Sequence, residues 1–327
     1  MRSRAGHVNC KNAWRQRPRL SKTLARDTTG GNGNEAESRM KKHGGRGTER
    51  FSRDSRADRP PAKPRPNAGA KPAQRPGDRA PVTHGFRRPS AELAALYGFH
   101  AVREALRNPR RQCLDLFATA AAAEKLAQDI EARGIAVHLV DSEALTARLG
   151  AEAVHQGVLL EARPLPSLDV TEIQTQSGVV LALDQITDPH NVGAILRTAA
   201  AFAVDAVIVT ERNAPEFSGV LAKAASGGLE HAPVVEIVNL ARALDQLGAA
   251  GYLRVGLDSE GPASLEDTPL SAPVALVLGA EGRGLRRLTR EKCDVLARLD
   301  MPGAIKSLNV SNACAVALAL TRTKLAK

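Results

Sequence analysis

Three stretches of this 327-residue chain concentrate polar side chains where glycine and proline interrupt apolar runs. In the first, residues 184–198, Asn191 stands at the mouth of a helical pattern and Arg197 falls one to two turns further on. Asn191 is suited to cap that helix. Val192, Ile195 and Leu196 would bury it, so Arg197 is expected to need an anion, either a protein carboxylate or a ligand phosphate. In the second, residues 276–286, an apolar run ends in Gly279, Gly282 and Gly284, with Glu281 between them. Glycines there let backbone approach a ligand closely. The third, residues 299–312, is a Pro/Gly-bearing loop that runs into the small apolar residues 313–320. Ser307, Asn309, Ser311 and Asn312 crowd the mouth of a helix whose composition predicts burial on all sides, more polar groups than one cap requires. The surplus points to a ligand under the loop, with Ser311 and Asn312 assigned to capping alone.

Other chemistries fit these residues poorly. Gly279 to Gly284 has the G-x-x-x-x-G spacing of a phosphate loop, but Leu285-Arg286 stands where Lys-Ser/Thr would hold phosphate and Mg²⁺. The glycine order also differs from that of a dinucleotide fingerprint. Residues 224–231 resemble a nucleophile elbow only loosely, since Ala224 replaces the first glycine and the stretch ends a helix. Cys10, Cys113, Cys293 and Cys314 are scattered and there is no His cluster at metal spacing, so a reducing compartment and no metal are expected.

The elements that must position these groups alternate. Strands are expected at 179–184, 206–210, 234–238, 252–257, 274–278 and 295–299, with helices at 191–202, 218–225, 240–249 and 285–292. The near-continuous apolar strands predict a parallel sheet covered on both faces, in which ligands bind beyond the strands' carboxyl ends. A smaller α/β unit precedes it. Ser90 is placed to cap a helix at 91–96, and 101–106 continues the helical pattern until Asn108-Pro109. Strands at 112–118, 135–140 and 157–161 then enclose a helix over 120–133 ended by Gly134 and a short one capped by Ser142. Four segments are expected: a disordered basic tail over 1–89, a compact domain over 90–162, a linker over 163–176 marked by Pro164 and Pro166, and a second domain over 177–327.

Charge is lopsided. Of the chain's 46 basic and 35 acidic residues, 23 and 7 lie in residues 1–90, which leaves 23 against 28 for the rest. The overall +11 therefore belongs to the tail, as suits a nucleic-acid partner. No apolar run reaches the roughly 18 residues of a membrane span. Residues 1–26 are Arg-rich and lack acids, as transit peptides do, but carry no apolar helical face; Met40 is an alternative start.

The three polar stretches, in this order, resemble the motifs of the SpoU (TrmH-type) family of RNA ribose 2′-O-methyltransferases: Asn191 to Arg197, Gly279 to Gly284 around Glu281, and Met301 to Ser311. The smaller unit, from Tyr97-Gly98-Phe99-His100 to His155-Gln156-Gly157-Val158, is similar to the L30e-like substrate-binding domain of the family's 23S rRNA guanosine methyltransferases. The resemblance implies a SPOUT α/β knot, a homodimer, a cytoplasmic setting and S-adenosylmethionine as cofactor. It implies Asn191, Arg197, Glu281, Ser307 and Asn309 as catalytic positions, and Gly279, Gly284, Leu299, Met301 and Leu308 around the cofactor. Ala280 and the 299–303 segment depart from the commonest family residues, which bears on loop shape and substrate choice. The function implied is 2′-O-methylation of a guanosine in the peptidyl-transferase loop of 23S rRNA. The alternatives are a tRNA methyltransferase of the same family and a catalytically silent RNA-binding assembly factor.

Overall fold

A computed structural model describes residues 85–326 apart from 213 and 218, so the expected tail as far as residue 84 lies outside the described residues. Residues 85–89 are held in place: the Phe86 ring lies 4.4 Å from that of Phe117, and the Arg87 N–H donates to both oxygens of the buried Glu161 carboxylate, at 3.2 and 3.1 Å.

The chain first builds a four-stranded sheet from β1 (Ala94–Tyr97), β2 (Cys113–Ala118), β3 (Val137–Leu139) and β4 (Val158–Ala162), in the order β1-β4-β2-β3. The helix expected at 91–96 is overturned. A short Ala/Leu run cannot nucleate a helix unaided, and here it pairs antiparallel along β4, with Leu96 opposite Leu160. Helix α1 (Phe99–Arg107) follows. The Phe99 N–H at its start donates to Gln156 Oε1 at 2.9 Å, so the two stretches that resemble the substrate-binding domain meet. The single helix expected over 120–133 is two, α2 (Ala120–Lys125) and α3 (Ala127–Arg133), broken where fully buried Leu126 turns inward. Gly134 ends α3 in the left-handed conformation, as expected. Helix α4 (Ser142–Leu149) is capped by Asp141, not Ser142: the carboxylate accepts from Ala144 N at 2.7 Å, a charge-assisted cap one residue earlier.

The second sheet holds seven parallel strands: β5 (Val179–Asp184), β6 (Ala206–Thr210), β7 (Val234–Ile237), β8 (Leu253–Leu257), β9 (Ala263–Ser264), β10 (Val274–Gly279) and β11 (Val295–Arg298). Their order is β7-β6-β5-β10-β8-β11-β9. The expected strands are all present, and β9 is an addition too short to show in a sequence pattern. Every residue of β5 and of β6 is buried, which is why they read as unbroken apolar runs. The helices are α5 (Pro189–Ala201), α6 (Gly219–Ala225), α7 (Gly228–His231), α8 (Leu240–Ala249), α9 (Arg287–Glu291) and α10 (Val310–Leu325). Side chains of alternate strand residues enter two apolar clusters, one on each face of the sheet.

Helix α10 corrects an expectation. Val310, Cys314, Ala317, Leu318 and Thr321 are buried, but Asn312, Val316, Ala319 and Thr323 form an exposed stripe along the other side. The helix lies against α5 and β10, and among the described residues its far face is left exposed. Burial pushes the Cys293 and Cys314 thiols up to about 12, so neither is a nucleophile near neutral pH.

Helices α5 and α6 meet almost backbone to backbone. A Cβ on Gly193 would sit 2.5 Å from Ala224 Cβ and 2.7 Å from the Leu221 carbonyl oxygen. Gly193→Ala must push these helices apart, and we expect a loss of about 1–3 kcal/mol, read as a lower urea midpoint with an unchanged m-value. A midpoint equal to that of the unsubstituted chain would show that the crossing has slack.

Candidate functional site

Strands β5 and β10 lie side by side, and at their carboxyl ends Asp184 faces Gly279 in register. From this pair the strand order runs outward in both directions, through β6 and β7 on one side and β8, β11 and β9 on the other. A reversal of this kind opens a crevice beyond the strand ends, where open α/β sheets bind ligands. All three polar stretches reach it: β5 leads into α5, β10 into the glycine turn, and β11 into the loop before α10.

Asp184 anchors the crevice from below. Its carboxylate is fully buried and accepts from Arg286 Nε at 2.6 Å and from Arg286 N at 2.9 Å. This closes the 279–286 turn, together with the Gly284 N–H to the Ala280 carbonyl at 2.9 Å. Gly279 is required by the turn itself, since a Cβ there would lie 2.2 Å from the Gly284 carbonyl carbon. Arg286, where a phosphate loop would need Ser or Thr, is therefore a strut. It also delays the expected helix at 285–292, which begins only at Arg287.

The turn carries Glu281 at its tip. Glu281 Oε1 accepts from Asn309 Nδ2 at 2.8 Å, Val310 N at 3.1 Å and Asn191 Nδ2 at 3.2 Å. Asn309 Nδ2 also donates to Asn191 Oδ1 at 2.8 Å. Three residues singled out in three separate stretches thus form one network at the start of α10, where the helix dipole favours a carboxylate. Glu281 Oε2 takes part in no hydrogen bond among the described residues and is left as an acceptor.

Asn191 is not the cap of α5. Asp188 is: its two oxygens accept from the N–H groups of His190 and Asn191, both at 3.2 Å. Pro189, with its fixed φ, takes the first helical position and moves the start two residues back. The Asn191 amide is thereby free for Glu281. Ser311, expected to cap α10, does not: Asn309 is the cap. The Ser311 hydroxyl and N–H donate to Asn309 Oδ1 at 2.5 and 2.9 Å and fix which end of that amide faces Glu281. The Asn-x-Ser spacing was the available signal.

Ser307 is exposed beside this network and joins it by no hydrogen bond. Leu308 is 42% exposed and Ile305 77%, large apolar side chains left in solvent at the mouth of the crevice. Leu299 is half-buried against the core, while Lys306 Nζ donates to the Met301 carbonyl at 2.6 Å and closes the loop on itself. Among the described residues, 302–308 make no backbone–backbone hydrogen bond. Arg197 departs from expectation: it is exposed, with no hydrogen bond or ion pair among the described residues. The apolar residues of α5 bury one face, and Arg197 is on another. Six residues on from Asn191, it lies about 240° around the helix and about 9 Å along it. It borders a depression shared with Ser226, Gly227, Gly228 and His231.

A cavity of about 680 Å³, among Leu93, Pro164, Leu168, Phe217, Leu229 and Val234, contains none of these groups. Among the described residues no group of three His, Cys, Asp or Glu could hold a metal ion, and no helix is long and apolar enough to cross a membrane.

Residues 178–319 match the model of the SpoU rRNA Methylase family, and residues 95–168 match that of the RNA 2′-O ribose methyltransferase substrate-binding domain. The chain is 37% identical over 233 residues to the 23S rRNA (guanosine-2′-O-)-methyltransferase RlmB of Pasteurella multocida, covering 68% of this chain and 95% of that protein. To the protein of the same name from Pseudomonas aeruginosa it is 39% identical over 231 residues, covering 68% and 93%. The crystal structure of an AdoMet-bound rRNA methyltransferase from Sinorhizobium meliloti superposes with a TM-score of 0.61 at 25% identity, over 72% of this chain and 88% of that one.

The Asp184 strut is open to test. Asp184→Asn leaves Arg286 without its charge partner, and the exposed half of that guanidinium moderates the loss to about 2 kcal/mol. We expect the drop in a chemical-denaturation midpoint; an unchanged midpoint would mean that the turn holds without the strut.

Proposed function

The chain belongs to the SpoU rRNA methylase family, and we propose that it transfers the methyl group of S-adenosylmethionine to the 2′-hydroxyl of a guanosine ribose in the peptidyl-transferase loop of 23S rRNA, in the cytoplasm. The observation that carries this reading is the meeting of Asn191, Glu281 and Asn309 at the crevice between β5 and β10. It is joined by relatives of that activity which the chain matches over nearly their whole length.

The mouth of the crevice fits the cofactor. Exposed Leu308 and Ile305 offer apolar contact to a nucleoside, and the unpaired backbone groups of 302–308 offer donors and acceptors to its base and ribose. Gly279, Gly284, Leu299, Met301 and Leu308 would line that place, in loops that would form the family's SPOUT knot. When bound, S-adenosylmethionine supplies a sulfonium methyl open to in-line attack by an oxygen.

The chain's own groups then have separable tasks. The ribose hydroxyl loses its proton as its oxygen attacks, and Glu281 Oε2 accepts that proton. The donors on Oε1 keep the carboxylate oriented for this. Asn191, Asn309 and Ser307 orient the ribose. A guanidinium offers donors and no acceptor, so Arg197 serves as a phosphate anchor beside the target, not as a base. Its exposure without a protein partner suits that task. We further propose a homodimer in which a second copy covers the exposed stripe of Val316 and Ala319 on α10. Because Arg197 is turned away from Asn191 on the same helix, its phosphate would belong to RNA that spans the two copies. The four-stranded unit would grip folded RNA by shape and phosphates, and the basic tail would add salt-sensitive affinity.

The test is transfer of tritiated methyl into bulk rRNA and tRNA from a strain lacking the enzyme, followed by mapping. Label on one guanosine ribose of 23S rRNA is expected. Label confined to tRNA would move the protein to the tRNA branch, and RNA binding without label would make it an assembly factor. Arg197→Lys is expected to weaken RNA binding about fivefold, for loss of bidentate phosphate contact, with turnover at saturation kept. Loss of turnover with RNA affinity intact would sink the anchoring role.

A further inference from the structure

Outside the crevice, the ion pair with both partners most enclosed among the described residues lies where the two sheets' units join. Arg111 and Glu230 have side chains 1% and 2% exposed. Arg111, just before β2, donates to Glu230 from Nη2 at 2.5 Å and from Nε at 3.2 Å to each oxygen. Its Nη1 donates to the Arg163 carbonyl at 3.0 Å, where β4 leaves the first sheet. Asn108, at the end of α1, donates from Nδ2 to Glu230 Oε2 at 2.8 Å. Each side-chain nitrogen and oxygen of Arg111, Glu230 and Asn108 has a hydrogen-bond partner, and Glu230 lies on α7, in the second unit. One carboxylate therefore holds the first unit at the end of α1 and at the start of β2.

The surroundings admit little slack. A Cβ on Gly227 would fall 2.4 Å from Glu104 Cγ, and one on Gly228 would fall 2.7 Å from the Cα of Arg197. The α6–α7 corner is thus pressed between α1 of the first unit and α5 of the second. His231 Nε2 and Glu104 form a second tie across the same joint, at 3.1 Å. A buried ion pair is a poor source of stability, because desolvation offsets the attraction. Unlike apolar contact, however, it is directional and fixes relative orientation.

Resting on the function proposed above, we propose that the Arg111–Glu230–Asn108 cluster is a positioning device that selects the methylated nucleotide. It holds the RNA-gripping unit in one orientation, so that the gripped feature and the Asn191–Glu281–Asn309 centre stay a fixed span apart. Only the ribose at that span then reaches the site. The cluster touches neither cofactor nor reacting atoms, and its effect is on which ribose arrives. Since a displacement of about 1 Å at the reacting centre costs on the order of 10²-fold in rate, a small rotation at the joint both slows the proper target and admits its neighbours.

Glu230→Gln tests this in the full chain, with S-adenosylmethionine and a 23S rRNA fragment bearing the wild-type target. Cofactor affinity is expected within about twofold of wild type, while methylation of the target ribose falls about tenfold or more and neighbouring riboses acquire label. A variant that was merely less stable would label the one ribose more weakly and no other. A folded Glu230→Gln chain that marks only the wild-type ribose overturns the proposal. Should Glu230→Gln fail to fold, Asn108→Ala, which spares the ion pair, carries the same test: label on neighbouring riboses supports the proposal and strict fidelity overturns it. Wild type run alongside separates the two readings. No label from wild type fails the functional reading and the inference with it, whereas a faithful variant beside an active wild type fails the inference alone.

Discussion

Glu281 Oε1 collects hydrogen bonds from Asn191, Asn309 and the N–H of Val310, and its two asparagine partners are 118 residues apart in the chain. Such a meeting needs a frame that returns distant segments to one edge. The parallel sheet is that frame: every strand delivers its exit loop to the same side, and the reversal between β5 and β10 keeps one place open among those loops. Antiparallel strands would have sent alternate loops to opposite edges.

The frame alone would leave the glutamate on a swinging turn. Buried Asp184 removes that freedom by holding the backbone and side chain of Arg286, and the missing side chain of Gly279 lets the turn fold back on its own strand. Asp188 and Pro189 settle where α5 begins and so where Asn191 points, while Ser311 settles the Asn309 amide. Six residues outside the reacting set thus determine the geometry of three within it, an arrangement in which geometry fixed before any ligand arrives limits reorganisation later.

Much of this was legible in the residues. The apolar runs of β5, β6 and β10 announced buried parallel strands, and the polar surplus at their ends singled out Asn191, Glu281 and Asn309. What escaped was decided by partners far away in sequence. Residues 94–97 have helical composition, and only the open edge of β4, more than sixty positions on, makes them a strand. Asp184 reads as the last residue of a strand because nothing local marks Arg286, 102 residues further on, as its partner. Arg197 was misjudged differently: apolar neighbours on a helix bury one face only, and a residue one step past Leu196 has turned about 100° away from it. The run at 313–320 reads as buried all round because small apolar residues suit a packed face and an exposed one alike.

Residues 302–308 make no backbone–backbone hydrogen bond among the described residues, and their side chains are exposed. If the cofactor sits where proposed, part of its recognition falls to backbone C=O groups, which no substitution removes, and to N–H groups, which only proline removes. Under the cofactor placement proposed above, Ala304 is therefore the position most free to change, while Ile305 keeps its apolar contact and Lys306 its tie to the Met301 carbonyl. The residues that must stay constant are those that shape the path of the loop. A wall built partly of backbone can thus change in sequence at some positions without changing what it offers a ligand.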